Sequence, residues 1–307
     1  MILLEFCARH ARWLLVAGLV AGVVLPQAAD RMRGTLPGLV ALLLFLAALR
    51  IGPRLALGAV ADLRATALVV ALWQVVLPLG LLGGFALFGA LGSPAALALG
   101  LMLAAPPLAG SPNLTMLVGG DPAPTLRLLV LGTALLPLTA LPVFHMLPAL
   151  GDPAVVTASV LRLLVTIALA TAAAFALRLS LLKAPGQTAM RRIDGCSALV
   201  MTVMVLGLMS EVGPALTQDP ARLAVWLALA CAANLGPQLV VALSLRRAPD
   251  RSALPALAIT SGNRNIALFL VALPPEITAP LLLFIGCYQV PMYLTPLLMT
   301  PLYRALR

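Results

Sequence analysis

Charge is what this chain has least of. Lys, Arg, Asp and Glu make up 10% of its 307 residues, where a soluble domain carries about 25%. With 62% apolar residues and a mean hydropathy of +1.08, there is too little polar surface to cover a core in water. That excludes a soluble globule and leaves the bilayer as the solvent. Negative charge is scarcer still, ten carboxylates against twenty Lys and Arg. Glu5, Asp30, Asp62, Asp121, Asp152, Asp194, Glu211, Asp219, Asp250 and Glu276 all fall at the ends of apolar runs or in the gaps between them. Proton and cation antiporters use a carboxylate inside the membrane as a relay, so that class loses support. Two histidines (His10, His145) and four cysteines (Cys7, Cys196, Cys231, Cys287) stand far apart, without C-x-x-C or ligand spacing. No metal site follows from them, and the cysteines read as small apolar fillers. There is no G-x-S-x-G, H-E-x-x-H or Walker loop, and Ser111 has no His or carboxylate in its run, so the expectation is neither an enzyme nor a cofactor protein. No polar stretch is long enough to fold alone, and 1–307 reads as one transmembrane domain.

What the chain does have is ten apolar runs, near 13–29, 36–49, 65–91, 95–118, 126–150, 155–182, 196–216, 223–245, 254–273 and 277–302. Most reach the roughly 17–25 residues a membrane helix needs, and the second is short. The first follows Arg9 and Arg12 with only a weak cleavage match at Gln27, so it reads as a retained span. With the N-terminus in the cytoplasm, fifteen of the twenty basic residues fall on the inner side and four, Arg31, Arg33, Arg162 and Arg222, on the outer. That asymmetry fits ten spans with both termini cytoplasmic, in an inner membrane. It also accounts for the net charge of +10 without a nucleic-acid partner.

Two runs cannot be continuous helices. The fourth contains APPLAGSPNLTMLVGGD, residues 105–121, with Pro106, Pro107, Gly110 and Pro112. The ninth contains AITSGNRN, residues 258–265. They are fourth and ninth of ten, so a five-plus-five division (about 1–150 and 151–307) puts them at corresponding places. An odd number of spans per half inverts one half against the other. Paired interruptions of this kind are the best sequence pointer to a transporter site. The expected substrate-binding residues are the polar ones around the breaks: Ser111, Asn113, Thr115, Thr260, Ser261, Asn263, Arg264 and Asn265. Half-helix N-termini at the breaks would favour an anion. Arg264 is the one charge expected near mid-membrane, where insertion costs at least about 2.5–3.5 kcal/mol. It can clamp an anionic substrate, or plug the structure by bonding backbone carbonyls of the crossing span. Gln74, Asn234, Gln238 and Gln289 read as interhelical hydrogen-bonders. Gly18–Gly22 and Gly80–Gly84 read as close-packing G-x-x-x-G pairs.

At the breaks the sequence resembles the bile acid:sodium symporter family, whose first-break pattern is close to P-G-G-T-A-S-N followed by G-D. Pro106, Ser111, Gly120 and Asp121 match it; Pro107 and Leu108 replace the glycines, and Asn113 stands one place after the family Asn. Of the second-break pattern, E-x-G-x-Q-N, Gly262 and Asn265 match, Thr260 stands for the Glu and Arg264 for the Gln. The resemblance implies an all-α bundle of about ten helices in a five-plus-five inverted repeat, with helices 4 and 9 broken and crossing. It implies secondary transport of a small organic anion. It also implies a sodium site, for which Ser111, Thr125 and Thr260 are the oxygen donors left; Leu129 replaces another hydroxyl. A hard cation wants oxygen ligands and a carboxylate. With the Glu lost and a permanent cation beside the site, the expectation is that Arg264 takes the place of sodium and transport is sodium-independent. The alternative reading is a membrane scaffold or sensor that keeps the fold without turnover.

Overall fold

In the computed structural model the described residues are 2–58 and 63–306; Asp62 and Arg307 lie outside them. Among the described residues the chain is helical, with one isolated antiparallel bridge and no strand. The helices are α1 (Ile2–Arg9), α2 (Ala11–Val24), α3 (Pro26–Arg33), α4 (Leu36–Gly58), α5 (Leu63–Ala71), α6 (Leu77–Leu87), α7 (Pro94–Ala104), α8 (Ser111–Leu117) and α9 (Pro122–Met146). They continue as α10 (Pro153–Ser180), α11 (Gln187–Leu208), α12 (Val212–Gln218), α13 (Pro220–Leu245), α14 (Leu254–Gly262), α15 (Phe269–Ala272), α16 (Pro275–Thr278) and α17 (Leu282–Leu306). A π-helical turn, Leu72–Val76, joins α5 to α6.

Several of these helices begin in the same way. Ser93, Asp121, Asp152 and Asp219 each cap a helix by accepting a backbone N–H, from Ala96, Ala123, Ala154 and Arg222 respectively. Each is followed by a proline at the first helical position, where the missing N–H is no loss. Four of the ten acidic residues are thus accounted for by helix starts and by Asp250, which accepts from the Ser252 N–H.

Seven helical stretches are long and apolar enough to cross a membrane: Leu36–Gly58, Leu63–Leu87, Pro122–Met146, Pro153–Ser180, Gln187–Gln218, Pro220–Leu245 and Pro275–Leu306. They correspond to the second, third, fifth, sixth, seventh, eighth and tenth apolar runs. The remaining three runs are the broken ones. The first run is not one straight span: α2 ends at Val24, Pro26 starts α3, and α1 meets α2 at an 84° bend. The second run is longer than expected. Its helix passes Leu49 and Arg50 to a break at Gly52 (φ 71°, ψ 163°), beyond which a second helical stretch runs from Pro53 to Gly58. The ideal Cβ position of Gly52 lies 2.7 Å from the Arg178 guanidinium, so the kink and the arginine occupy each other's space.

Large apolar side chains face outward on every long helix, among them Leu68, Leu87, Phe88, Leu138, Leu169, Val225 and Leu297. Such a surface suits hydrocarbon, not water. The buried core gathers α7, α9, α15 and the first half of α17. The expected close packing at Gly18 and Gly22 is present. Their ideal Cβ positions lie 2.7 Å from the Thr202 carbonyl and 2.6 Å from Met209 on and beside α11. Gly80 and Gly84 are a correction: nothing lies within 4 Å of either position. Their helix, α6, turns that face outward, so no partner helix uses it.

Candidate functional site

The two expected breaks are real, and they meet. After α7, Ala105 turns extended (φ −64°, ψ 148°), and the chain runs open to Ser111, where α8 starts. After α14, Asn263 and Asn265 leave helical geometry (ψ 89° and 62°) before α15. Pro107 and Arg264 face each other in an antiparallel bridge. Leu108 N–H donates to the Asn263 carbonyl (2.9 Å) and Asn265 N–H to the Pro106 carbonyl (2.8 Å). This is the non-hydrogen-bonded type of antiparallel pair, in which the facing residues donate nothing to each other. Pro106 is asked only for its carbonyl and Pro107 for nothing. Two prolines that would break a helix therefore fit here without leaving an unpaired donor.

The backbone freed at the second break is satisfied by α13 and α17. The Tyr288 hydroxyl donates to the Gly262 carbonyl and accepts from the Arg264 N–H (3.2 Å). Its ring stacks on Phe284 at 5.6 Å. Asn234 Nδ2 also donates to the Gly262 carbonyl (2.8 Å). Gln238 Nε2 donates to Asn234 Oδ1 (2.9 Å), Tyr303 donates to Gln238 Oε1 (2.8 Å), and Thr295 lies 3.3 Å from Asn263 Oδ1. All of these side chains are buried. α14 comes so close to α13 that a Cβ on Gly262 would collide with the Asn234 carbonyl.

Arg264 is 1% exposed. Its Nε donates to the Ser261 carbonyl (3.0 Å) and Nη1 to the Ala105 carbonyl (3.1 Å). The guanidinium lies over the Trp73 ring, 5.2 Å from its centroid, a contact that strengthens when desolvated. The bond to Ala105 is the plug contact anticipated between crossing spans. It does not use the whole group, because Nη2 has no partner. Among the described residues no Asp or Glu is buried.

The remaining expected residues divide. Ser111, Thr115, Thr260, Ser261 and Asn263 are buried at the breaks. Thr115 shares a hydroxyl–hydroxyl bond with Thr125 (2.8 Å) and donates to the Ser111 carbonyl (3.0 Å). Thr260 and Ser261 donate to Ala256 and Ala258 carbonyls of their own helix (both 2.7 Å). Asn265 is half-buried and, with Arg264 and Gln289, lines a cavity of about 20 Å³, room for about one water. Asn113 is exposed on α8, apart from the cluster. Gln289 donates only within its own helix, to the Ile285 carbonyl, so the interhelical role expected of it is not what its amide does. The half-helices are also shorter than an anion-favouring dipole wants. α8 has seven residues and α15 four, so few peptide dipoles align behind either break. No group of three or more His, Cys, Asp or Glu side chains capable of holding a metal occurs among the described residues. For sodium, the hydroxyls of Thr115 and Thr125 are already engaged with each other, and among the described residues no buried carboxylate joins them.

Tyr288, Thr295, Tyr303 and Trp73 were not legible as site residues. An aromatic in an apolar run looks like core. The available signal was the hydroxyl, since a buried Tyr O–H needs a partner, and the broken backbone is where partners are needed.

No protein-family model matches the chain, and no curated protein matches it.

Proposed function

We propose that this chain is a secondary transporter for a small organic anion, built of ten spans in a five-plus-five inverted repeat and related to the bile acid:sodium symporters. The observation that carries the proposal is the crossing: two interrupted helices, paired backbone to backbone, with a buried arginine that no carboxylate among the described residues neutralises. A charge left without a counter-charge in a low-dielectric interior is costly unless a ligand supplies one. Inverted halves are supported by matching polar pairs. Gln74 of the third run bonds Thr139 of the fifth (2.8 Å), and Gln238 of the eighth bonds Thr295 of the tenth (3.3 Å).

The orientation is supported by the ion pairs. Arg33–Glu211 (2.7 Å) joins the first gap to the end of the seventh run, both of which the charge count puts outside. Arg50–Asp194 (2.5 Å) and Arg192–Glu5 (3.3 Å) join segments it puts inside. An open cleft of about 390 Å³ between Gly119–Asp121 and Arg251–Ser252 joins two gaps that the charge count puts inside. The crossing itself is closed, so substrate reaches it only when one bundle rocks against the other. Arg264 stands in for a coupling sodium, and transport is sodium-independent.

Counterflow in proteoliposomes with labelled organic anions, in sodium and in potassium buffers, tests this. Equal uptake in both buffers that Arg264→Ala removes is the expected result. Uptake that requires sodium would refute the role given to Arg264. No uptake of any anion would leave the scaffold or sensor reading, which the closed, water-sized cavity at the crossing favours.

A further inference from the structure

Two of the buried polar atoms without a hydrogen-bond partner are donors at the crossing, Arg264 Nη2 and Gln74 Nε2. Both side chains are 1% exposed; Arg264 bonds the strip 105–107 directly, and Gln74 meets the same Gly132 position as the Pro106 and Pro107 rings. Arg264 bonds the Ala105 carbonyl and faces Pro107. Gln74 Nε2 lies 2.6 Å from the ideal Cβ position of Gly132, which is itself 3.3 Å from Pro107 and 3.6 Å from Pro106. The Gln74 carbonyl end is held by Thr139, which fixes which end of the amide is free. Trp73 covers the face of the guanidinium, leaving its edge. Trp73 and Gln74 are neighbours in the π-helical turn Leu72–Val76, a conformation found frequently at functional sites.

Two unpartnered N–H donors, one carrying full charge, disfavour a cation and suit an anion with two oxygens. We infer that Arg264 Nη2 and Gln74 Nε2 are the paired donors for the carboxylate of a small organic acid, held beside the Trp73 ring. This rests on the transporter reading and names the side chains that select its substrate. Gly132 sets the position of the Gln74 amide.

The test uses the purified full chain in detergent with Trp13→Phe and Trp226→Phe, which leaves Trp73 as the one tryptophan of three. Potassium acetate, propionate and benzoate are titrated against its emission, with potassium chloride at equal ionic strength as control. A saturable change with carboxylate and none with chloride is expected. Gln74→Met and Gly132→Ala weaken the response about ten- to a hundredfold, the worth of a hydrogen bond to a charged group. Gln74→Glu gives Arg264 an internal carboxylate, so the chain stays folded with a raised Tm and the response disappears. No response to any of the three acids, an equal response to chloride, or an unchanged response in Gln74→Glu overturns the inference. Counterflow that persists in Gln74→Glu overturns this site and leaves the transporter standing. A positive titration without uptake in the unaltered chain does the reverse.

Discussion

Tyr288 holds the crossing although the sequence does not single it out. One hydroxyl serves a carbonyl and an N–H that the broken helix has released. Tyr288→Phe removes both bonds while keeping the ring on Phe284. The Gly262 carbonyl keeps Asn234, but the Arg264 N–H is left buried and unpaired. The expected loss is about 1–3 kcal/mol, read as a lowered Tm in detergent. An unchanged Tm would mean that another group takes over the N–H. Arg264 was legible because a charge within an apolar run stands out. Tyr288 was not, because nothing in its neighbourhood separates it from Tyr293 or Tyr303.

Among the elements, the two G-x-x-x-G pairs give a direct contrast. Gly18 and Gly22 hold α2 against α11, so Gly22→Leu forces the helices apart. Overpacking of this kind costs about 1–3 kcal/mol. Gly80→Leu, on the open face of α6, leaves stability unchanged or slightly improved, since a leucine favours helix more than glycine does. Equal effects in thermal unfolding would contradict the packing described here. The motif alone could not separate the pairs, because it reports small side chains and not whether a partner lies opposite. Helix starts are legible in the sequence. Ser-Pro or Asp-Pro opens α7, α9, α10 and α13, and Asp152→Ala should cost about 1 kcal/mol through the lost cap. Helix ends are less so: helical geometry carries past Leu49 to Arg50, which pairs with Asp194, and breaks only at Gly52.

For the whole molecule, hydrophobicity and the proline clusters disclosed the class and the place of the breaks. They could not disclose that the breaks pair with each other, since a backbone bridge between residues far apart leaves no mark in composition. The topology is open to a labelling experiment. With the native cysteines replaced, single cysteines at Asp121 and Ser252 should react with a membrane-impermeant thiol reagent from one side only. Those at Asp152 and Asp219 should react only from the other. Asp121 and Ser252 share the wall of one cleft, so labelling of these two from opposite faces would refute the arrangement.

The bridge between Pro107 and Arg264 also bears on how the protein is made. Leu108 and Pro106 find their backbone partners on Asn263 and Asn265, which a ribosome reaches about 8–30 s after it has passed the first break. Through that interval the first half lies in the membrane with exposed peptide groups and nothing to pair them. Hydrocarbon does not tolerate such groups, so the nascent chain needs water, lipid headgroups or an insertion factor to shelter them. A chain halted before residue 263 never completes the bridge and becomes a substrate for membrane proteolysis, whereas one halted after the tenth run survives.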